Sequence, residues 1–391
     1  MKVEMIAKEA VFKAVDEIKE KLIQVSDAIH SFAELGNQEF KSAELLAGEL
    51  EAAGFTVERA YAGIPTAFKA RLQGKAKKPV VALLAEYDAL PELGHACGHN
   101  IVGTAALGAA LALARFLPEL PGTLLVFGTP AEETNGAKVV LAEKGHFAGV
   151  DAALMIHPGP ATVVAAPSLA MDALEFHFQG KAAHAASNPQ EGINALDAVI
   201  LTFNAINALR EHLEEGVRIH GIINKGGAAP NIVPEEAAAR FYVRARTRRY
   251  LNQVVEKVVN CARGAALATG AKLTVSNFEY SFDEMKTNRV LARLVEENLE
   301  LLGERHVPPA DGFGSLDMGN VSQVVPSIHP YISVGPPYPT HHTREFAQIA
   351  ASPGGHRSLI TGAKLLAATA YDLFTDPALV REAQAAFRAD K

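Results

Sequence analysis

Four segments of the chain carry side chains of the types that bind metal ions in proteins. Each segment directly follows a short apolar run that is typical of a buried strand. Thiolate, imidazole and carboxylate groups are the ligands that zinc takes, so the pattern predicts a metallohydrolase. The candidate residues, in chain order, are Cys97 and His99, Glu132 and Glu133, His157, and His341 and His342.

Taken one at a time, these segments have ordinary explanations. The run His95–Asn100 could form a buried turn with an inert thiol, and Glu132-Glu133 could lie at a helix N-terminus, where acidic residues are favoured. A single His at a strand end is more often a core-edge or surface residue than a ligand. The metal hypothesis depends on all four segments lying at strand ends of one sheet, because ligands bind at the carboxyl edge of open α/β sheets.

The donor types favour two ions rather than one. Cys97 as a thiolate could bridge them, with His99 on one side, Glu133 and His157 sharing the other, and His342 completing the set. Two ions held about 3.5–4 Å apart lower the pKa of a water between them from about 15.7 towards 7. Hydroxide would then be available at neutral pH.

The acidic pair offers two different roles. Adjacent residues at a strand end point in different directions, so one carboxylate can bind metal while the other faces the water. We interpret Glu133 as the ligand and Glu132 as the general base that later gives the proton to the leaving amine. A thiol hydrolase with Cys97 as nucleophile and His99 as base is a weaker alternative, because a spacing of two residues gives poor nucleophile–base geometry.

The elements that must position these residues alternate between helices and strands. This alternation predicts an α/β fold with a mostly parallel sheet and helices on both faces. The predicted elements are a helical region over 7–53 that breaks at Gly36, strands over 80–90, 123–129 and 152–156, and helices over 101–116 and 136–144.

A different pattern begins near Met171. The order strand, helix, strand, strand, helix, strand indicates a ferredoxin-like α+β unit inserted into the first domain. We therefore predict a catalytic domain in two parts, over 1–169 and 286–391, and an inserted domain over 170–285. The last part is expected to end in a long helix rich in Ala and Leu.

The composition excludes several classes of protein. The chain has 391 residues and a net charge of -7, which argues against a nucleic-acid or an anionic membrane partner. The start is charged and amphipathic rather than a signal peptide, and the most apolar stretch, around 105–117, is too short to span a bilayer. With only two cysteines, Cys97 and Cys261, no disulfide framework is expected, and a cytoplasmic location is the prediction.

Nine segments in order, which together span nearly the whole chain, resemble the co-catalytic zinc peptidases of the aminoacylase and carboxypeptidase-G type (peptidase family M twenty) in their amidohydrolase subfamily. So many matches in one order are highly specific. The segments are 29–36, 86–91, 95–100, 129–133, 155–158, 180–185, 229–234, 314–320 and 342–346.

The resemblance implies a zinc-peptidase-like catalytic domain interrupted by a smaller lid domain through which two copies form a homodimer. Its metal ligands would be Cys97, His99, Glu133, His157 and His342, with Glu132 as the base. His342 is preferred over His341 because relatives have Phe or Tyr four residues after the ligand, and Phe346 fits only that register. Asp88 would bind to one of these metal ligands and thereby fix its orientation.

The resemblance also implies residues that bind the substrate. In relatives the counterpart of His184 reaches into the partner subunit's site and stabilises the oxyanion. Asn231 and Arg244 match positions that hold the substrate carboxylate, to which Arg offers a bidentate fork. Gly314 would approach the substrate backbone, with Gly312 as an equal candidate.

The chain departs from most relatives of this subfamily at Asn100, where Asp is usual, and from many other metallopeptidases at Glu86, where they have His. The motifs are most similar to the p-aminobenzoyl-glutamate hydrolase and β-alanyl-dipeptidase branch. We expect two divalent ions, Zn²⁺ or alternatively Mn²⁺, and hydrolysis of an amide bond in a dipeptide, an aminobenzoyl-glutamate-like compound or an N-acyl amino acid. The alternative from another class is a catalytically silent small-molecule binding protein on the same fold.

Overall fold

A computed structural model describes residues 2–309 and 314–390, with side chains from Lys8 onward. The described residues form two compact units. The first unit takes the residues up to Pro167 and those from Met285 onward, apart from Gly314–Gly319. The second unit takes Ser168–Glu284 together with Gly314–Gly319, a segment that the sequence assigned to the catalytic domain.

The helices and strands are numbered here in chain order. The strands are β1 (Thr56–Arg59), β2 (Phe68–Gln73), β3 (Val80–Ala85), β4 (Thr123–Gly128), β5 (Ala152–Leu154), β6 (His157–Gly159), β7 (Ala170–Gln179), β8 (Arg218–Lys225), β9 (Glu236–Ala245), β10 (Lys272–Asn277), β11 (Ser327–Ile328) and β12 (Tyr331–Ser333). The helices are α1 (Lys2–Asp16), α2 (Lys19–Phe32), α3 (Phe40–Ala52), α4 (His99–Ala114), α5 (Ala137–Glu143), α6 (Ala195–Leu209), α7 (Arg248–Thr269), α8 (Arg289–Leu301), α9 (Met318–Ser322), α10 (Arg344–Ala350), α11 (Pro353–Thr375) and α12 (Pro377–Ala389).

The first unit is built on a sheet in the order β1-β2-β4-β3-β5-β11. The pairs β4–β3, β3–β5 and β5–β11 are parallel, and β1 and β2 add an antiparallel edge. Strands β3 and β4 are apolar and buried along almost their whole length, as strands covered on both faces should be. The predicted α/β fold with a mainly parallel sheet is thus confirmed.

Helix α4 lies at the centre of the first unit. It consists mostly of small and apolar residues, and fourteen of its sixteen residues are buried. It contacts β3 on one side and α2, α3 and α11 on others. Its first residue, His99, is therefore part of the buried core.

The second unit has the predicted β-α-β-β-α-β order. Its antiparallel sheet runs β10-β7-β9-β8, and α6 and α7 pack against it. Phe176, Phe178, Phe241 and Val243 join the helices in its core, because alternate residues of a strand point to the same face. Strand β8 is an edge strand, and seven of its eight residues are exposed.

The structure differs from the predicted elements at three places. The N-terminal region forms three helices instead of two, since the chain also breaks between α1 and α2. Strand β3 ends at Ala85 and not at Leu90, so the residues that follow turn out of the sheet. Strands β1 and β2 were missed.

In the part of the chain that the structure describes, every helix is too short or too polar to cross a membrane.

Candidate metal centre

The candidate donors of the first unit come from five places along the chain. Asp88 follows β3, Cys97 and His99 lie at the start of α4, the acidic pair follows β4, and His157 opens β6. The paired histidines follow β12, whose Tyr331 lies opposite His157 in the parallel ladder. The end of β12 therefore lies beside the strand that carries His157.

Gly98 allows these segments to approach one another. Its φ of +80° is a left-handed conformation that favours glycine, and it is the N-cap residue of α4. A Cβ at this position would lie 2.6 Å from Pro158 Cγ and 3.2 Å from Phe346 Cε1. The turn that presents Cys97 and His99 is thus in contact with the segments of two other candidate donors.

Cys97 is common to two groups of donors. Its Sγ lies 3.6 Å from His157 Nε2, and these two residues form a group with His99 in which the donor atoms lie within 4.8 Å of one another. A second group of the same size joins Cys97 with Glu133 and His342. The expected thiolate bridge fits this arrangement, but His157 is grouped with His99 and not with Glu133 as the sequence interpretation had it.

A hydrogen bond to Asp88 fixes the orientation of the His99 ring. Its Nδ1 lies 2.8 Å from Asp88 Oδ1, so the ring N–H donates to that carboxylate and Nε2 points the other way. His99 Nε2 is buried and lies 3.3 Å from Glu86 Oε2, but it makes no hydrogen bond to the residues that the structure describes. A buried ring nitrogen in this state is suited to binding a metal ion.

The two glutamates after β4 have different surroundings. Glu133 Oε1 lies 3.2 Å from His342 Nε2, and the Glu133 N–H donates to Asp88 Oδ2 over 2.9 Å. Glu132 Oε2 lies 3.9 Å from His99 Nε2, and its side chain is mostly buried. This arrangement is compatible with one carboxylate as ligand and the other beside the reacting water.

The electrostatics of the cluster are compatible with a bound cation. Burial raises the pKa of the Cys97 thiol well above its ordinary value, and the Glu133 carboxylate adds to this effect. Burial also lowers the pKa of His157 well below 6.5, which keeps its ring in the neutral form that binds metals. For His99 burial opposes the charge, yet Asp88 and Cys97 raise its pKa well above 6.5. A bound divalent ion would replace that proton and stabilise the thiolate, so the residues fit the expected group. The raised pKa of the thiol also disfavours Cys97 as a free nucleophile.

The two adjacent histidines, His341 and His342, have different surroundings. His341 Nε2 lies 2.8 Å from the Pro158 carbonyl oxygen, and burial lowers the pKa of its ring. His342 has 55% of its side chain exposed, and its φ of +62° is rare for a residue with a Cβ. Its contact with Glu133 raises the pKa of His342. The choice of His342 rather than His341 as the ligand stays a prediction.

Sequence reasoning missed several residues around the cluster. Lys138 Nζ donates to Glu86 Oε1 over 2.6 Å, and both side chains are buried. The rings of His329 and Tyr331 pack against His157, and burial lowers the pKa of His329 to about 3. The occurrence of a His and a Tyr two residues apart just after an apolar run is a weak signal that could have drawn attention to them.

The departure at Asn100 has a physical reason. Its amide nitrogen donates to Ser26 Oγ over 3.0 Å and to the Ala350 carbonyl over 3.2 Å. An Asp carboxylate has no such donor at neutral pH. Asn100 thus connects α4 to α2 and α10 through buried hydrogen bonds.

The predicted substrate-binding residues lie in the second unit. His184 is exposed, and its Nδ1 accepts the N–H groups of Ala186 and Ser187 over 3.3 and 3.2 Å. Asn231 is exposed, and its carbonyl accepts the Ala185 N–H. The half-buried Arg244 donates from Nη1 to Ser315 Oγ over 3.2 Å.

The segment predicted to approach the substrate backbone is described in part. Gly314 is exposed, and its carbonyl accepts the Leu169 N–H, which ties it to the start of β7 in the second unit. The alternative Gly312 lies outside the described residues.

Comparisons with known proteins agree with this geometry. The sequence pattern of Peptidase family M20/M25/M40 matches residues 82–372. The chain is 37% identical to the Xaa-Arg dipeptidase of Mus musculus, covering 96% of this chain and 90% of that one. It is 33% identical to one of the two polypeptides of p-aminobenzoyl-glutamate hydrolase from Escherichia coli (strain K12), covering 95% of this chain and 92% of that one.

A solved structure gives the same fold. It is a dinuclear metal-binding peptidase of the M20 family from Bacillus subtilis, and it superposes with a TM-score of 0.63. The match is 21% identical and covers 89% of this chain and 98% of that one. Together the comparisons confirm the resemblance drawn from the motifs.

Proposed function

Because the chain belongs to Peptidase family M20/M25/M40 and is a metal-dependent hydrolase of amide bonds, we propose that it cleaves dipeptides with a free C-terminal carboxylate. The observation that supports this most strongly is the pair of donor groups that share Cys97, with Glu132 beside them. A silent binding protein would be expected to lack a donor or the base, and each of these side chains is present.

The proposed cofactor is a pair of divalent ions, zinc by preference and manganese as the alternative. Cys97, His99 and His157 would hold one ion, and Cys97, Glu133 and His342 the other. A mixture of thiolate, imidazole and carboxylate suits zinc. When bound, such ions supply Lewis acidity and lower the pKa of water.

Glu132 would move the proton. Its carboxylate takes a proton from water as the water oxygen forms a bond to the amide carbon, and it then gives that proton to the nitrogen as the carbon–nitrogen bond breaks. The products are a carboxylic acid and a free amine, so the atoms of one water are consumed. The mostly buried position of Glu132 supports this role, because burial excludes competing water.

His184 would stabilise the oxyanion. Since its Nδ1 accepts two backbone N–H groups, the proton of the neutral ring lies on Nε2, which is then a hydrogen-bond donor. Arg244 and Asn231 would bind the substrate carboxylate, and Gly314 would let the substrate backbone approach. Ser315 supports Arg244 in this role by fixing one arm of its guanidinium group.

We further propose a homodimer formed through the second unit, in which His184 acts in the site of the partner copy. Edge strand β8 supports this proposal, because an exposed edge can pair with the same edge of a second copy. Ile222 and Ile223 on this strand are 64% and 45% exposed, and a partner would cover them. Both cysteines are free thiols, which is compatible with the proposed cytoplasmic location.

The choice of substrate follows the named activity of the mouse relative. A panel of alanyl-arginine, p-aminobenzoyl-glutamate and an N-acetyl amino acid, assayed with added zinc or manganese, tests it. We expect the dipeptide to have a kcat/KM at least tenfold above the other two. A preference for p-aminobenzoyl-glutamate would contradict the dipeptide proposal and leave the reaction class intact. Full activity after exhaustive dialysis against EDTA would contradict the metal role.

A further inference from the structure

Glu39 is a buried carboxylate that belongs to none of the donor groups. It stands immediately before α3, at the N-cap, but its side chain makes no hydrogen bond to that helix. The N-terminus of α3 is instead satisfied by Glu34, whose carboxylate accepts the N–H groups of Lys41 and Ser42 over 3.0 and 2.9 Å. The oxygens of Glu39 are therefore available for another part of the chain.

Glu39 binds a residue 92 positions away. Its Oε1 accepts the N–H of Ala131 over 2.8 Å, and its Oε2 accepts the hydroxyl of Thr66 over 2.9 Å. All three residues are buried. A buried carboxylate is costly unless its oxygens are hydrogen-bonded, so this arrangement is held firmly.

Ala131 has a strained backbone. Its φ of +64° lies in the left-handed region, which a residue with a Cβ adopts only when its surroundings impose it. The carbonyl of Ala131 accepts the N–H groups of Thr134 and Gly136 over 3.1 and 2.7 Å, which closes a turn. This turn begins directly before the proposed base Glu132.

The same turn is fixed by a second hydrogen bond, and the segment before α3 packs against it. The N–H of Glu133 donates to Asp88, so the N–H groups on either side of Glu132 are both bound by buried carboxylates. At Gly36 a Cβ would lie 2.6 Å from Thr134 Oγ1 and 3.2 Å from Ala131 Cβ. The segment 36–39 therefore leaves the turn little room to relax.

We infer that Glu39 is a positioning residue, which imposes the left-handed conformation on Ala131 and thereby aims Glu132 at the reacting water and Glu133 at the metal. The inference rests on the proposed function for the role of Glu132. It depends on no direct contact between Glu39 and the substrate. Misplacing a reacting group by about 1 Å can cost about a hundredfold in rate, so loss of this anchor should be visible in kcat.

The test combines substitutions at both ends of the hydrogen bond. Glu39→Ala should lower kcat about 10–100-fold and change KM less than threefold. Glu39→Gln keeps one acceptor for the Ala131 N–H and should stay within about threefold of the parent chain. Ala131→Gly should change kcat little by itself, because glycine adopts the left-handed conformation without strain. In the Glu39→Ala background it should restore kcat about fivefold or more.

A readout without turnover separates this inference from the proposed function. Zinc affinity, measured by competition with a chelator, should fall about tenfold in Glu39→Ala, since supporting residues of metal ligands act on affinity in this range. That result would hold even if the dipeptide assay failed. Asp372→Asn is the matched control, because Asp372 is also a buried carboxylate and binds Asn298 and Lys8 away from the turn. It should alter Tm but neither kcat nor zinc affinity.

Two outcomes would overturn the inference. In the first, the Glu39→Ala protein folds and keeps the zinc affinity of the parent protein, and its kcat is lowered no more than the kcat of Asp372→Asn. The other is strict additivity of Glu39→Ala and Ala131→Gly, because the two changes would then act independently of the strained turn. If Glu39→Ala does not fold, Glu39→Met, which fills the same space without a carboxylate, replaces it in the same cycle.

Discussion

In the first unit most of the proposed metal ligands and their supports are buried and in contact with one another, with His342 the exposed exception, whereas in the second unit the proposed substrate-binding residues are exposed apart from the half-buried Arg244. His99 and Asp88 are fully buried and hydrogen-bonded. His184 and Asn231 are exposed, and their contacts are to nearby backbone. The proposed metal-binding region is thus preorganised by its own fold, while His184 and Asn231 of the proposed substrate-binding region are accessible to a ligand.

This difference predicts different consequences of substitution. A change among the buried groups leaves unpaired polar atoms, and it should act on kcat or on metal affinity. A change among the proposed substrate-binding groups of the second unit should leave the fold and the metal content intact and act on substrate affinity or on the site of a partner copy. Four experiments test this division.

The largest effect is expected at Glu132. Glu132→Gln should lower kcat by about 10³–10⁴-fold, because the amide cannot accept and return a proton. Metal content should be unchanged, as measured by elemental analysis of the purified protein. Glu143→Gln on α5, which removes an exposed carboxylate nearby in the sequence, is the control and should be fully active. Near-native activity of Glu132→Gln would show that another group is the base.

The second experiment tests whether His184 acts between copies. His184→Ala should lower kcat by about 10²–10³-fold with unchanged metal content, since it removes one oxyanion donor. Mixing this variant with Glu132→Gln and allowing exchange should restore activity, because a mixed dimer then holds one site with both groups. If His184 acted within its own copy, no mixture would recover activity. His212→Ala, at another exposed histidine of the second unit, should have no effect.

A smaller effect is expected at Arg244. Arg244→Lys should raise KM about tenfold and Arg244→Ala further, with kcat changed little, because the bidentate fork to the substrate carboxylate is lost. The control is Arg240→Ala on the same strand, which removes a surface ion pair with Glu175. An unchanged KM for Arg244→Ala would remove this residue from the substrate site. Amidated dipeptides provide a second check, since they should be insensitive to the substitution.

The smallest effect concerns stability and pH at Glu39. Burial, with a contribution from Asp88, raises the pKa of Glu39 from 4.5 to about 7. Between pH 4.5 and pH 7, Glu39 is therefore more often protonated in the folded protein than in the unfolded chain. This difference in proton binding stabilises the folded protein at low pH, and the stabilisation is lost as the pH rises towards 7. Glu39→Gln removes that dependence. The Tm of Glu39→Gln minus the Tm of the parent protein should therefore increase by about 2–4 °C when the pH is raised from 5 to 8. A constant difference would contradict the raised pKa.

Much of the fold followed from pattern alone. The six elements of the second unit were predicted in order, because alternating strands and amphipathic helices give distinct periods. Strand β2 was missed although Phe68, Ala70 and Leu72 alternate with polar residues, a signal that was available. The break between α1 and α2 carries no Gly or Pro, so packing rather than local preference ends α1 there.

The site was predicted in part. Donor types at strand ends pointed to the cluster, and the register of Phe346 predicts His342 rather than His341 as the ligand. The grouping of His157 with His99 depends on how β6 and α4 pack, which no local pattern encodes. Glu39 could not be found either, because an ordinary-looking carboxylate becomes important only through a contact 92 residues away. Its partner Ala131 shows nothing unusual until its backbone angle is known.

The short ladder between β6 and β12 has a consequence for how the protein is made. His157 opens β6, and the strand that pairs with it begins only at Tyr331. A ribosome has therefore synthesised more than four-fifths of the chain before this ladder can form, and His342 emerges later still. Contacts so distant in sequence form slowly. Of the two proposed ions, the one assigned to Cys97, Glu133 and His342 would be held in full only after translation has passed the C-terminal segment, so a chain truncated before His342 should bind that ion weakly.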